Sequence, residues 1–350
     1  MNIEELFKLG IEKKVSDIHI IAGYFPSIRV NRELQHLTTF PILESVLSKE
    51  WLTSILTDDQ RSTLELNREF DFGYNFQDHR FRVNMYYSEG GLSGSFRLIP
   101  NTILSLSELS LPENLSSLTQ LKQGFILVTG PTGEGKSTTL ASLINIINNE
   151  KTKHILTIED PIEYIYPQGK SIISQREIGQ DSLSWDKALK SALREDPDVV
   201  LIGEMRDFET ISSALTIAET GHLVFSTVHT NSAAQTLDRI IDVFPSTQQE
   251  QVKTQLASTL KAIISQRLIP SIDTYSSLPA CEILINTPAV SAIIREGKTH
   301  LIDNVIQTSS NNGMILLEQN LIDLYRNGKI SKQTAIDFAI RPQEITRLIT

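Results

Sequence analysis

The chain has 350 residues, of which 40% are hydrophobic and 21% are charged, a composition typical of globular proteins and a length that suggests about two domains. Its formal net charge of −10 is not accompanied by any basic tract, which disfavours non-specific binding to nucleic acid. The single cysteine, Cys281, excludes an internal disulfide and any zinc site built from paired cysteine motifs.

No segment approaches the roughly 20 apolar residues that a membrane-spanning helix needs. The first residues, MNIEELFKLGIEKK, carry acids among their apolar positions and lack the basic start and continuous apolar core of a signal peptide. We therefore expect a cytoplasmic protein without membrane insertion.

The first 100 residues predict a small α+β domain. Asn2 and Glu5 resemble a capping box, and the apolar residues after them follow helical spacing, so a helix is expected at the start. Residues 80–86 and 93–99 alternate polar and apolar side chains around Gly90-Gly91, which predicts a β-hairpin. The other expected elements are strands at 17–21 and 27–30 and helices at 42–56 and 59–66.

A second domain is expected at 116–350, separated from the first domain (1–100) by a linker at 101–115 that lacks strong periodicity. Its apolar strands alternate with helices, which is typical of a parallel sheet covered on both faces. The predicted strands are 125–129, 155–158, 199–202 and 223–227. After Thr247 the pattern predicts mostly helix, with one further strand at 281–285.

Residues 130–137 read GPTGEGKS and match the phosphate-binding motif G-x-x-x-x-G-K-[ST]. An apolar strand precedes the motif and a helix-forming run follows it, a context that a chance glycine-rich turn does not explain. Lys136 is expected to neutralise phosphate charge, and the Ser137 hydroxyl is expected to bind Mg²⁺. The predicted nucleotide-binding residues are Gly130, Pro131, Thr132, Gly133, Glu134, Gly135, Lys136, Ser137 and Thr138.

Acidic residues follow two of the predicted strands. Glu159, Asp160 and Glu163 lie at the sheet edge where open α/β sheets bind ligands; the alternative is an ordinary solvated acid cluster. Glu204 ends a strand in a Walker-B-like pattern, where a carboxylate can orient or deprotonate the attacking water. The alternative for Glu204 is a capping role at the next helix.

Two histidines, His222 and His229, lie at the two ends of the fourth predicted strand. Because they are seven residues apart, period-two alternation aims them at opposite faces, so only one is expected in the nucleotide cleft. His229, at the carboxyl end, is the better candidate for sensing phosphate or contacting a neighbour. The alternative is a histidine with a purely structural role.

Together these segments resemble the type II/IV secretion ATPase superfamily, and within it the PilT-like retraction ATPases of type IV pili. The resemblance covers nearly the whole chain, through SDIHIIAG, FRVN and SFRLIP in the first domain and GPTGEGKSTTLASLI, ILTIEDPIEY and GHLVFSTVHTNSAAQTLDRIIDVFP in the second. It implies an N-terminal PAS-like α+β domain and a C-terminal RecA-like P-loop domain with a helical C-terminal part. It also implies a homo-hexameric ring that hydrolyses ATP with Mg²⁺.

The resemblance further implies roles for individual residues. Glu204 corresponds to the catalytic Walker B glutamate, and His222 and His229 correspond to the family's histidine box. Glu159 to Glu163 correspond to its acidic box, in which Glu163 helps to hold Mg²⁺ or water. Arg82 and Arg97 match arginines that the first domain presents to the triphosphate. Without the resemblance, these two arginines would be interpreted as solvated strand residues.

Two segments depart from the pattern of the family. Ser291 stands where the C-terminal signature usually has an arginine, a change that would weaken a partner contact supporting retraction. Residues 273–279 lack the usual glycines and arginines of that loop. Neither change bears on hydrolysis.

We therefore predict a motor that powers type IV pilus retraction and twitching motility. It is expected to act on an inner-membrane pilus platform protein at the inner face of the membrane, with a paralogous accessory ATPase as a further partner. The alternatives are a PilU-like accessory ATPase and a pilus-extension or secretion ATPase, although the latter normally carries a tetracysteine zinc insertion. From other classes come a non-hydrolysing, nucleotide-gated binding module and a DNA-translocating motor. Ring symmetry and the direction of force stay open.

Overall fold

The computed structural model describes residues 2–30, 33–99, 102–273 and 277–349. The chain divides into two compact units, one formed by Met1–Thr102 with Pro161–Ile165 and one formed by Ile103–Asp160 with Tyr166–Thr350. The first unit is α+β and the second is α/β with helices at its C-terminal end, so the predicted fold class is confirmed. The departure noted over 273–279 falls partly on residues 274–276, which lie outside the described residues.

The described residues of the first unit form an antiparallel sheet and three helices. Its six strands lie in the order β3-β2-β1-β6-β5-β4. The strands are β1 (Asp17–Ile20), β2 (Ser27–Val30), β3 (Glu33–His36), β4 (Glu69–Phe76), β5 (His79–Ser88) and β6 (Gly91–Ile99). The helices are α1 (Ile3–Glu12), α2 (Ser45–Thr53) and α3 (Asp58–Asn67).

Aromatic packing beneath α1 forms the centre of this unit. The Asn2 side chain accepts a hydrogen bond from the Glu5 N–H at 3.0 Å and so begins the helix as the sequence predicts. Phe7, which α1 points inward, is fully buried. Its ring centroid lies 5.0 Å from that of Phe81 and 5.1 Å from that of Phe96, distances typical of favourable aromatic pairs.

The predicted hairpin is confirmed, and its turn lies one residue earlier than expected. Ser88 pairs with Gly91, so the two-residue loop is Glu89-Gly90, and both loop residues have positive φ, 50° and 81°. A turn with positive φ at both central positions matches the right-handed twist of the strands. Gly90 provides one of these conformations without strain, whereas Glu89 adopts the other as a non-glycine residue.

The second unit is a seven-stranded sheet in the order β13-β12-β7-β11-β10-β8-β9, with every pair parallel except β12 and β13. Its strands are β7 (Gly124–Thr129), β8 (His154–Glu159), β9 (Ile172–Glu177), β10 (Val199–Ile202), β11 (Leu223–Val228), β12 (Leu260–Pro270) and β13 (Ser277–Ile285). Its helices are α4 (Lys136–Glu150), α5 (Trp185–Ala192), α6 (Phe208–Glu219), α7 (Ala233–Asp242), α8 (Ser246–Thr259), α9 (Pro288–Glu296), α10 (Ile302–Thr308), α11 (Leu317–Arg326), α12 (Lys332–Asp337) and α13 (Pro342–Leu348).

Both faces of this sheet are buried. Along β7, Phe125 and Leu127 pack into one apolar cluster, while Ile126 and Val128 pack into a second cluster on the opposite face. All six residues of β7 are buried, as the continuous apolar pattern predicts. The phosphate-binding motif therefore follows a strand in the interior of the sheet.

The prediction of mostly helix after Thr247 is wrong for one long segment. Helix α8 passes directly into β12, which pairs with β7 on one side and β13 on the other. The sequence of β12, LKAIISQRLIP, does not alternate regularly because the strand is largely buried, and its apolar pairs also fit a helix. Strands β3, β4 and β9 were likewise not predicted.

The segment expected as a linker carries buried side chains. Residues from Ile103 onward belong to the second unit, and Leu106, Leu111 and Leu115 pack in the apolar cluster on the α4 face of its sheet. Residues 100 and 101 lie outside the described part of the chain.

The C-terminal helices pack around an ion-pair network. Arg341 places one terminal nitrogen 2.7 Å from Asp303 and the other 2.9 Å from Glu318. Nearby on β13, Cys281 is fully buried, and burial raises the pKa of its thiol to about 12.

No helix in the described part of the chain has the length and apolarity to cross a bilayer.

A buried acid on β13 makes stability depend on pH. Glu282 is 1% exposed, and its carboxylate accepts a hydrogen bond from the Ala233 N–H at 2.7 Å. Burial, assisted by the nearby acids Asp303 and Glu318, raises the pKa of Glu282 from its usual 4.5 to about 7. The folded protein therefore holds this proton where the unfolded chain has released it, so stability falls as pH rises from about 4.5 to about 7.

We expect Glu282→Gln to remove this decline, because the amide oxygen can still accept from Ala233 and carries no charge to bury. In the wild type, the free energy of unfolding lost through Glu282 is on the order of 3 kcal/mol above pH 7. Thermal unfolding at pH 5 and pH 8 checks this: the variant should melt higher than the wild type at pH 8 and similarly at pH 5. Glu250→Gln, at an exposed position, is the control, and equal pH dependence of wild type and Glu282→Gln would contradict the interpretation.

Candidate active site

The phosphate-binding motif forms a tight loop between β7 and α4. Gly133 and Gly135 have φ of 86° and 76°, a left-handed conformation that only glycine adopts without strain. At Gly130, whose φ is 147°, a Cβ atom would collide with the carbonyl oxygen of Gln266. The motif glycines are therefore required by backbone shape and by the closeness of β12.

The loop lysine is hydrogen-bonded to the backbone of the loop. Lys136, 7% exposed, donates from its Nζ to the carbonyl oxygens of Gly130 at 2.8 Å and Pro131 at 2.7 Å. As the first residue of α4, it lies where the N-terminal dipole of the helix favours anions. This arrangement presents a fixed positive charge where phosphate oxygens would bind.

Register brings other side chains to the same edge of the sheet. Thr129, the last residue of β7, pairs with Val228 of β11, so His229 follows at the level of the loop. Ile202, the last residue of β10, pairs with Ser226, and Glu204 lies two residues beyond it. Because parallel strands present their carboxyl ends at one edge, these residues converge as the sequence predicts.

His229 lies between the loop lysine and the strand-end acid. Its Nδ1 is 3.4 Å from the Nζ of Lys136, and its Nε2 is 3.5 Å from Oε2 of Glu204. A neutral imidazole with its proton on Nε2 suits both neighbours, because Nδ1 then accepts from the ammonium and Nε2 faces the carboxylate. The side chain is 43% exposed, so a ligand above the loop can reach it.

Glu204 is oriented from both sides. Its Oε1 lies 2.5 Å from a terminal nitrogen of Arg206, and its side chain is 21% exposed. The alternative that Glu204 caps the next helix is wrong, since Asp207 is the cap of α6 and accepts from the Thr210 N–H at 2.9 Å. Glu204 thus faces the loop lysine through the imidazole of His229.

His222 lies at the other end of β11. Its Nδ1 is 3.0 Å from the Ile217 carbonyl oxygen and 3.1 Å from the Thr220 hydroxyl. These contacts fasten the end of α6 to the start of the strand, which is a structural role.

Three other predicted site residues belong to the first unit. Arg82 and Arg97 pair directly across β5 and β6, so their side chains leave the same face of that sheet. The Nε of Arg97 donates to Asp17 at 3.0 Å, and the arginine side chain is 66% exposed. Glu163 lies in the segment Pro161–Ile165 of the same unit. Roles for these three side chains at a triphosphate stay predictions.

Two residues that contact this site are not predicted from the sequence. Arg206 follows Glu204 by two positions, and a basic residue just beyond a strand-end acid could have indicated the ion pair. Gln266 was missed because β12 was not predicted. Its amide nitrogen donates to the Glu134 carbonyl and its amide oxygen accepts from the Thr139 hydroxyl, both at 2.6 Å. The polar pair Ser265-Gln266 within an apolar strand was the available signal.

The residues at the loop fit a magnesium ion that is held mainly by nucleotide. Within the described ranges, no three His, Cys, Asp or Glu side chains are grouped so as to form a metal site of their own. Mg²⁺ bound with nucleotides takes only one or two protein ligands beside phosphate oxygens and water. The hydroxyl of Ser137, in the first turn of α4, can provide such a ligand.

Comparisons with known proteins agree with this geometry. A family model described as "Type II/IV secretion system protein" matches residues 70–344. The "Twitching motility protein" of Neisseria gonorrhoeae is 47% identical over 316 residues, 90% of this chain and 84% of that protein. The "Type IV pilus retractation ATPase PilT" of Pseudomonas aeruginosa is 43% identical over 344 residues, 98% of this chain and 99% of that protein.

A solved structure is also similar over its full length. It is described as "Crystal Structure of the Pilus Retraction Motor PilT and Bound ADP", has a TM-score of 0.93 and 43% identity, and covers 99% of both chains.

We expect His229→Asn to lower ATP turnover at pH 7.5 by about 10-fold or more, since the shorter amide cannot lie between Lys136 and Glu204. The measurement is steady-state phosphate release at saturating ATP. His154→Asn is the matched control, because His154 begins β8 and so lies at the end of the strands opposite to the phosphate loop. Its ring bonds to Ser174 and the Asp196 carbonyl. Equal turnover in both variants would assign His229 a structural role only.

Proposed function

Because the chain belongs to the type II/IV secretion system protein family, we propose that it is an ATP-hydrolysing motor that retracts type IV pili. The observation that carries the proposal is the convergence of Lys136, His229 and Glu204 at a complete phosphate loop. Pilus retraction itself is the activity named for a relative and a solved structure that match this chain over nearly its entire length.

Each side chain in this set has a distinct part in the proposed reaction. The loop N–H groups and Lys136 bind the phosphates, and bound Mg²⁺ would offset charge on the phosphate oxygens. Glu204 orients the attacking water and accepts its proton, since a carboxylate beside the outermost phosphate is a suitable general base. His229 contacts both the base and the lysine and so would respond to a phosphate that binds the lysine.

The first unit is proposed to complete the site. Arg82 and Arg97 offer guanidinium groups, which remain charged at any physiological pH and stabilise negative charge on a transferring phosphoryl group. Glu163 is proposed to help hold the metal ion or its water. The terminal nitrogens of Arg97 remain available for this purpose because the contact with Asp17 uses Nε.

The working assembly is proposed to be a cytoplasmic homo-hexamer at the inner face of the membrane, where it acts on the pilus platform protein and with a paralogous accessory ATPase. ATP binding and hydrolysis would rotate the two units of each chain, a common way to convert a phosphate contact into displacement. Nucleic acid is not an expected partner, because the chain has a net charge of −10 and no basic tract.

An accessory pilus ATPase is the second candidate, and Ser291 is the residue that favours it. Its hydroxyl donates to the Ala257 carbonyl at 2.9 Å and lies 3.0 Å from the side-chain oxygen of Asn286. The Ser291 side chain therefore makes hydrogen bonds within its own unit, and the arginine that the retraction signature usually has at this position is missing.

We expect Glu204→Gln to reduce steady-state ATP hydrolysis by about 100-fold or more, because the amide cannot accept the proton of water. ATP affinity should change little, since the loop and Lys136 are intact. Phosphate release and fluorescent-nucleotide binding give the two measurements, with Glu209→Gln, an exposed acid on α6, as control. Unchanged hydrolysis in Glu204→Gln would remove the mechanism, and a wild type that binds ATP without turnover would indicate a nucleotide-gated binding module.

Deletion of the gene separates the cellular functions. Loss of a retraction motor should leave cells with excess surface pili and no twitching, whereas loss of an extension motor should leave them without pili. Pili counted by electron microscopy and colony spreading on soft agar give the result. Normal pili and normal twitching would support the accessory role.

A further inference from the structure

Gln266 is a buried polar residue beside the phosphate loop whose role neither the motif nor the proposed chemistry includes. It is 2% exposed and lies near the middle of β12. The preceding residue, Ser265, pairs in register with Thr129 of β7, and their hydroxyls are 2.8 Å apart. Gln266 therefore lies at the level where β7 ends and the phosphate loop starts.

The side-chain amide joins the loop to the helix that follows it. Its nitrogen donates to the carbonyl of Glu134 in the loop, and its oxygen accepts from the hydroxyl of Thr139 on α4, both at 2.6 Å. One planar group thus fixes the spacing between the loop and the first turn of the helix. An apolar side chain here would leave the part-buried Glu134 carbonyl and the buried Thr139 hydroxyl without these partners, which is costly.

The segment around Gln266 also touches the loop closely. Its carbonyl oxygen occupies the space where a Cβ atom of residue 130 would lie, and its side-chain amide nitrogen is 2.9 Å from the Cβ position of Gly135. Two residues further along β12, the N–H of Leu268 donates to the carboxylate of Glu134. Three loop residues, Gly130, Glu134 and Gly135, are therefore in contact with one short stretch of β12.

We propose that Gln266 is a positioning residue that holds the phosphate loop in the shape needed to bind the phosphates of ATP. This inference rests on the proposed function for the identity of the ligand. Gln266 does not touch the reacting atoms. It acts through Glu134 and Thr139, so its loss should weaken phosphate binding more than it slows the chemical step.

The test compares Gln266→Leu, Thr139→Val and the double variant, all as full-length chains. Gln266→Leu should raise KM for MgATP by about 10-fold, the effect of losing the hydrogen bonds to Glu134 and Thr139, while kcat falls much less. Thr139→Val, which removes one of the two bonds, should raise KM less. The double variant should resemble Gln266→Leu, because both changes remove the same contact.

Gln249→Leu is the matched control, since the Gln249 amide also donates to a backbone carbonyl, that of Phe244, at 3.2 Å. Thermal unfolding of each variant separates a general loss of stability from a change at the loop. Should Gln266→Leu fail to fold, Gln266→Glu supplies the test, because it keeps the acceptor for Thr139 and loses the donor to Glu134. It too should raise KM.

The outcomes distinguish the two proposals. A wild type without ATP turnover overturns the proposed function, and the affinity of each variant for fluorescent ADP then tests the positioning role by itself. A wild type that is active, with Gln266 variants whose KM and ADP affinity equal those of the wild type, overturns the positioning role alone. Additive effects of Gln266→Leu and Thr139→Val on KM would also contradict it.

Discussion

Hydrogen-bonded register between β7 and its two neighbours is the constraint on which the site depends. Thr129 lies beside Val228 on one side and Ser265 on the other, so β7 and β11 end level with each other, beside the middle of β12. The segments that continue from these strands are then brought into contact: the loop after β7, His229 after β11, and the remaining part of β12. A shift of one residue in either pairing would turn these side chains toward the opposite face.

The charged groups of this site have polar partners within the protein. The Lys136 ammonium has carbonyl acceptors from its own loop, and the Glu204 carboxylate has the guanidinium of Arg206. Phosphate oxygens arriving at the loop would offer the ammonium stronger, charge-assisted bonds than neutral carbonyls do. Ligand binding would therefore redistribute these contacts, and His229 lies between the two charged groups that take part in them.

Local sequence predicts the parts of this fold that depend on local chemistry. The phosphate loop, its flanking strand and helix, and the strand-end positions of Glu204 and His229 follow from glycine conformations and apolar runs. The hairpin at Glu89-Gly90 was predicted within one residue. Strand β12 escaped prediction because it is buried in the sheet and its apolar spacing does not separate strand from helix.

Non-local contacts could not be inferred from spacing alone. Gln266 lies 132 residues from its loop partner Glu134, and no motif indicates that pairing. Arg82 and Arg97 present the reverse case, since only the family resemblance singled them out from other exposed strand residues. Their direct pairing across β5 and β6 places both guanidinium groups on one face of that sheet.

The lone cysteine has a practical consequence for optical measurements on this protein. Cys281 is fully enclosed, and with a pKa of about 12 its thiol carries almost no thiolate at neutral pH. Maleimide dyes react with thiolates, so the native residue need not be removed before fluorophores are attached elsewhere. A pair of surface cysteines, one in each compact unit, would let energy transfer measure the distance between the two labels with and without ATP in the otherwise unaltered chain.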